Sequence, residues 1–245
     1  MQHLVTGPDT GIRPVSARSA LVRILIAADS PTMTSRQICA STTAVGYPES
    51  TVRVAVSRMV AAGELRRENR AYTLAPGLRA RRVELAAPPE RPWDGEWEQV
   101  VVTAGGRPAA ERATLRTTLL GLRLSELREG VWMRPANLER VWPAALDDVA
   151  IRLRTCPVDD PARLAARLWS LADWSARGHA LLEAIETPDP TAKFAAVCAG
   201  LDHLTTDPVL PVDLRPAGWP SADLRAVTAG YLAWFATLSR ESAPS

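Results

Sequence analysis

Apolar positions recur with a helical period through the N-terminal part of the chain. Leu21, Ile24, Leu25 and Ala28 form one stripe behind Ser16, a suitable N-cap. Asp29-Ser30-Pro31 breaks that helix. Thr34 with Gln37 three residues on is a capping-box pattern for a second helix, which carries Ile38 and ends at Gly46-Tyr47-Pro48. A third helix is predicted from Glu49 to Ala62. Val52, Val56, Met59 and Val60 fall on one face, and Gly63 follows as a stop. Then the period changes. Leu65 lies in one arm of a short hairpin, and Tyr72 and Leu74 alternate in the other. Glu68-Asn69-Arg70 forms the tip, where Asn tolerates left-handed backbone.

Three short helices and a hairpin predict a winged helix-turn-helix over residues 16–85, after a loose tail at 1–15. Residues 86–92 hold three prolines and read as a stiff linker. Beyond it a strand is predicted from Trp97 to Val102 and a helix from Pro108 to Leu120. Two strands follow around Gly130, at Leu122 to Leu127 and Val131 to Arg134, then a short helix from Asn137 to Trp142. In a last strand from Val149 to Thr155, Val149, Ile151 and Leu153 alternate with polar residues. That order, βαββαβ over residues 93–158, is ferredoxin-like. Residues 159–245 are expected to form a C-terminal α-helical domain. Its helices are a long one from Asp160-Pro161 to about Ile185, one from Asp189-Pro190 through Leu201, and one from Ser221 through Leu238. The fold class expected is therefore α+β.

Composition narrows the function. The hydrophobic fraction of 47% excludes a mainly disordered chain. No uncharged apolar run is long enough to span a bilayer, and the N-terminus lacks the pattern of a secretory signal. Cys39, Cys156 and Cys198 are few, odd in number and far apart, which points to a reducing cytoplasm rather than a disulfide framework. The net charge is only +2, but it is unevenly distributed. Residues 1–85 carry 12 Arg against 6 acidic residues, and the remainder 17 basic against 21 acidic. A basic first third on an acidic body points that third at a polyanion.

The candidate DNA-contacting residues are Ser50, Thr51, Arg53, Ser57 and Arg58 on the third helix and Arg66, Arg67 and Arg70 on the hairpin. Arg79, Arg81 and Arg82 add charge behind it. A helix fits the major groove, where Arg can pair with guanine edges, and a basic hairpin reaches the adjacent phosphates. The helix residues alone would equally make a solvated face. The basic hairpin and the charge asymmetry favour double-stranded DNA. The Trp residues are expected mostly in the core, with Trp93 and Trp97 at the domain junction. Arg134, Arg140, Arg152 and Arg154 read as a surface array or as partners of Asp147 and Asp148, with contact to phosphate groups of a ligand as the less favoured reading. His3, His179 and His203 are scattered with no cysteine at ligand spacing, so neither a metal nor a cofactor is expected.

Four blocks resemble the PaaX family of bacterial transcriptional regulators, which repress aromatic-acid catabolism genes. Ser50-Thr51-Val52-Arg53-Val54-Ala55-Val56-Ser57-Arg58-Met59-Val60 is similar to its recognition helix. Trp93-Asp94-Gly95-Glu96-Trp97 is similar to the start of its middle domain, and Gly130-Val131-Trp132-Met133-Arg134-Pro135 to its central strand. Asp207-Pro208-Val209-Leu210-Pro211 with Arg215-Pro216 and Gly218-Trp219-Pro220 is similar to its C-terminal signature. The resemblance implies a cytoplasmic homodimeric repressor, not an enzyme, that an acyl-CoA thioester releases from DNA. Two alternatives stay open. One is a metal-dependent nuclease, which would need a carboxylate at the end of the first middle strand, where the chain reads Val102-Thr103-Ala104. The other is a DNA-binding protein with no effector.

Overall fold

The computed structural model describes residues 11–28, 32–79 and 88–241. The expected break at Asp29-Ser30-Pro31, residues 1–10 of the expected tail, Arg81 and Arg82, and Ala86-Ala87 of the expected linker lie outside them. The chain is α+β, with helices at both ends and antiparallel sheets between. It divides into two compact units. One comprises Met1–Leu85, Arg177–Thr205 and Pro220–Ser245, the other Ala86–Ala176 and Thr206–Trp219. The expected C-terminal helical domain is thus shared between the two, a difference with a physical reason. Three short helices and a small sheet bury too little apolar surface by themselves. Phe194, Cys198 and Phe235 from the last helices complete their core.

The first unit begins with α1 (Ala17–Ala27). Ser16 caps it by accepting from the Ser19 amide, and Leu21, Ile24 and Leu25 are buried. Residues 11–15 have no regular structure but are held in place: Ile12 packs on the last helices, and the Val15 carbonyl accepts a 2.6 Å hydrogen bond from Tyr47 Oη. The capping box forms as expected at the start of α2 (Ser35–Ala44), with Thr34 and Gln37 bonding reciprocally. Gly46 turns the chain at φ 87°, and a Cβ there would collide with Thr191. Helix α3 (Glu49–Ala61) buries Val52 and Met59 and half-buries Val56. Val60 is exposed rather than core. At 3.6 residues per turn it lies about 80° around the helix from Val52, past the edge of the buried stripe. Strands β2 (Leu65–Glu68) and β3 (Ala71–Leu74) make the hairpin, and β1 (Thr32–Thr34), which the periodicity did not predict, adds a third strand in the order β1-β3-β2. A four-residue turn of helix, α4 (Pro76–Arg79), follows. The unit closes with α8 (Pro190–Leu204), capped by Asp189, and α9 (Ser221–Glu241).

The second unit is a four-stranded antiparallel sheet of β4 (Trp97–Val102), β5 (Ser125–Arg128), β6 (Val131–Pro135) and β7 (Ala150–Thr155) in the order β5-β6-β4-β7. Helix α5 (Ala109–Gly121) joins the first two strands and packs Leu119 against Val100 and Trp132. Four expectations change here. Asn137 to Trp142 is not helical. It is too short to nucleate between Pro135 and Pro143, and Leu138 forms a β-bridge with Glu90 instead, leaving a single 3₁₀ turn at Ala144–Leu146. That bridge also ties down residues 88–92, so the described half of the expected spacer belongs to the sheet. Ile151 and Leu153 are 53% and 42% exposed, because β7 is an edge strand that nothing described covers on their face. The long helix splits at Trp169, which is extended, into α6 (Pro161–Leu168) and α7 (Leu171–Ile185). Ser170 is a suitable cap for the second piece. Residues 171–176 of α7 belong to this unit and the remainder to the first.

The opposite sheet face carries Trp97 and Met133, covered by Leu164, Leu168, Leu210 and Leu214. Trp93 and Trp97 both belong to this core. Trp174 stacks on Trp219 at 4.3 Å beside it. Arg134 joins two of the four blocks, Gly130–Pro135 and Asp207–Pro211. It is fully buried on β6, and burial pulls its pKa well below the ordinary arginine range. Its Nε donates to the Pro135 carbonyl at 2.9 Å and its Nη1 to those of Arg123 and Pro208 at 3.2 and 3.3 Å. Its Nη2 donates to Asn137 Oδ1 at 2.8 Å and to the Val209 carbonyl at 3.2 Å. These bonds hold the 207–211 turn, where Val209 stands at φ 50° and its amide donates to Asp207. Arg134→Met should cost about 3 kcal/mol or more, since several buried acceptors lose their donor at once. Urea unfolding followed by circular dichroism measures it, and a change below 1 kcal/mol would contradict this role.

Candidate nucleic-acid interface

Helix α3 is anchored from one side only. With Val52 and Met59 pointing inward, Ser50, Thr51, Arg53, Val54, Ser57 and Arg58 fall on the opposite half of the helix, and all are exposed. Glu49 sits in the first turn, where a carboxylate suits the helix dipole. It forms an exposed ion pair with Arg53 one turn on, an interaction of small net value that an approaching phosphate or base can displace.

The hairpin is pinned by Leu65 and Tyr72, which are buried, while Arg66, Arg67 and Arg70 are exposed. Arg66 and Arg67 are adjacent on β2 and so point to opposite faces. Arg67 lies over the Tyr72 ring at 5.8 Å and lines a groove with Arg53 and Ser57 of α3 and Arg36 of α2. That groove has a volume of about 1040 Å³. A second hollow, about 650 Å³, runs along the other flank of α3 past Ser50, Thr51, Val54 and Arg58. At the tip, Asn69 and Arg70 stand at φ 46° and 67° between the paired residues Glu68 and Ala71. This is the two-residue loop that the primed turns favour, and Asn at its first position is ordinary. Arg at the second is not, because left-handed backbone costs a residue with a side chain about 1–2 kcal/mol. A long cation is held in strain at the point farthest out on the hairpin.

The structure therefore brings Arg53, Ser57 and Arg67 into one groove, places Ser50, Thr51 and Arg58 along the opposite flank of α3, and leaves Arg66 on the other hairpin face. Two residues escaped the sequence reading. Arg36 is exposed in the first turn of α2 and lines the groove; its only signal was its place behind the capping box. Val54 is 51% exposed at the centre of the outer face. Its signal was a phase opposite Val52, which an apolar side chain obscures. Exposed there, it could meet a thymine methyl group.

The arginines considered for ligand phosphates have other partners. Arg134 is enclosed by the carbonyls described above. Arg140 bonds the buried Glu98 at 2.6 Å, and Arg152 lies 3.8 Å from the same carboxylate and over the Trp142 ring. Arg154 reaches Glu96. Asp147, an expected partner of these arginines, accepts from Trp142 Nε1 instead. At the end of β4, Thr103 donates to the Val149 carbonyl. Among the described residues no group of three or more His, Cys, Asp or Glu side chains could hold a metal, and no helix is long and apolar enough to cross a membrane.

A helical unit with a strained basic hairpin, together with a four-stranded sheet unit, makes this an α+β chain of two units. Residues 11–76 match the family model described as PaaX-like protein, and residues 90–156 match the PaaX protein central Cas2-like domain. The uncharacterized protein Rv0674 from Mycobacterium tuberculosis is similar in structure, with a TM-score of 0.78 and 37% identity over 93% of this chain and 99% of that one. No curated protein matches. The chain belongs to the PaaX family, whose members are transcriptional regulators rather than enzymes.

Arg70→Gly should raise the free energy of unfolding by about 1 kcal/mol, by removing the strain of a left-handed side-chain residue. The urea midpoint reads it. A lowered midpoint would contradict the strain at the tip.

Proposed function

We propose that the chain is a sequence-specific DNA-binding repressor that acts as a homodimer. In this reading α1 to α3 and the hairpin form a winged helix-turn-helix. Helix α3 lies in the major groove of double-stranded DNA with Ser50, Thr51, Arg53, Ser57 and Arg58 toward base edges. Arg66, Arg67 and Arg70 of the wing meet the backbone. The observation that carries the reading is the polar, exposed outer face of α3 beside a wing that holds Arg70 in a costly conformation, a feature with no evident use in a solvated turn.

A dimer would present two α3 helices about 34–36 Å apart, or a multiple of that, and would favour an inverted repeat. A small effector such as an acyl-CoA thioester would release the operator by favouring a conformer whose spacing no longer fits. A coupling of about 1–3 kcal/mol is enough for such a switch.

Fluorescence anisotropy of the protein on its own upstream promoter and on a scrambled duplex, at two salt concentrations and with or without phenylacetyl-CoA, tests the reading. Promoter-selective binding released by the thioester is expected. No preference over scrambled DNA at either salt would contradict it. Arg53→Ala should cost about 1–3 kcal/mol on the preferred site and relax its sequence preference. Arg66→Ala should weaken all sequences about equally and lower the salt slope by about 1. A slope that does not move would place Arg66 in solvent.

A further inference from the structure

The first unit contains a cavity that no feature of the DNA-binding face uses. It lies among α1, α8 and α9 and has a volume of about 480 Å³, within the range of small-molecule sites. Val22, Ile26, Leu78, Val197, Leu201 and Leu232 give it an apolar lining. Few polar groups enter it. The Tyr231 hydroxyl makes no hydrogen bond among the described residues, and burial raises its pKa, so it keeps its proton and remains a donor. The Cys198 thiol, pushed up to about 12 mainly by burial, is likewise uncharged. The charged groups of the lining are Arg18, Arg23 and Asp202, two cations to one anion. Arg23 is bonded to Asp202 at 2.7 Å by Nη2, and Arg18 is paired with Glu64, a carboxylate that does not itself line the cavity, so the lining carries one more cation than anion.

We infer that this cavity binds a compact hydrophobic molecule bearing one negative charge, its apolar body against the apolar lining, its anionic group toward Arg18 and Arg23, and a polar atom within reach of the Tyr231 hydroxyl. A volume of about 480 Å³ suits a compact ligand, and a whole coenzyme thioester would have to extend out of the cavity. The position gives such a ligand a route to DNA. Helix α1 lines the cavity through Arg18, Val22 and Ile26 and packs on α3, with Leu21 and Ile24 in the same core as Val52 and Met59. Arg18 adds a direct tie, because Glu64 follows immediately on the stop of α3 at Gly63. A ligand that draws Arg18 inward competes with that tie. This link to DNA rests on the repressor reading; ligand binding itself does not.

The test uses two fluorescent probes on the full chain without DNA: anilinonaphthalene sulfonate, which is aromatic and singly charged, and its uncharged counterpart phenylnaphthylamine. One sulfonate per chain should bind. Ala27→Trp and Val22→Trp, each filling the cavity from α1, should weaken it by about tenfold or more, with circular dichroism confirming the fold. Arg23→Gln should weaken the sulfonate about fivefold while leaving the uncharged probe unchanged, as expected for a partly exposed charge contact. Undiminished binding to both folded filling variants, or equal losses of the two probes in Arg23→Gln, would overturn the site. Promoter anisotropy with saturating sulfonate should show weakened DNA binding that Ala27→Trp abolishes. A bound probe that leaves DNA affinity unchanged would overturn the link to α3, whereas failure of the ligand-free protein to bind DNA would remove the repressor reading and leave the cavity result standing.

Discussion

The burial of Val52 and Met59 is the contact on which the rest of the first unit depends. Those two side chains fix the rotation of α3, and the rotation decides which residues face outward. They are held because the core around them is closed from far along the chain: Leu21, Ile24 and Leu25 from α1, Ile38 from α2, Leu65 and Leu74 from the hairpin, and Phe194, Cys198 and Phe235 from the last helices. Interiors pack closely enough that a shift in one of these elements is felt by the others. A helix–hairpin unit of this size, marginal alone, gains a stable core from α8 and α9. The same helices make a wall of the cavity beside α1, so the stability of the unit and the proposed ligand site come from one arrangement.

The second unit is organised differently. Its sheet has a separate core on each face, and its most specific interaction is polar. Arg134 spends its donors on four backbone carbonyls and one side-chain amide, and so fixes a turn that is distant in sequence. An enclosed guanidinium accepts only one arrangement of its acceptors, and without it those carbonyls would be left buried and without their donor. This gives a physical reason for the Gly130–Pro135 and Asp207–Pro211 blocks to occur together: one holds the cation and the other supplies its acceptors.

What could be read from the sequence was local. The capping box at Thr34 and Gln37, the face of α3 apart from Val60, and the Asn69 tip each depend on residues within a few positions of one another, and each appears in the structure. All eight candidate contact residues are exposed, because helix phase and strand alternation are local properties too. What was missed was set by distant parts of the chain. Strand β1 exists because β3 offers an edge for it to pair with. Asn137 to Trp142 stays extended because Glu90 bridges Leu138 and Arg134 binds Asn137. Ile151 and Leu153 alternate as a buried strand would, yet β7 lies at an edge. The grouping of α8 and α9 with the N-terminal helices left no trace in periodicity. Val54 was hidden by its residue type, since an apolar side chain in an amphipathic helix reads as core until its phase is checked.

Hydrogen exchange of the full chain, read by mass spectrometry with and without its promoter DNA, tests the central claim most directly. If α3 and the wing form the contact surface, amides in residues 49–61 and 65–74 gain protection on the promoter, and gain less on scrambled DNA at the same salt. Protection confined to the sheet unit of β4 to β7, or absent from α3 while the DNA is bound, would contradict the account.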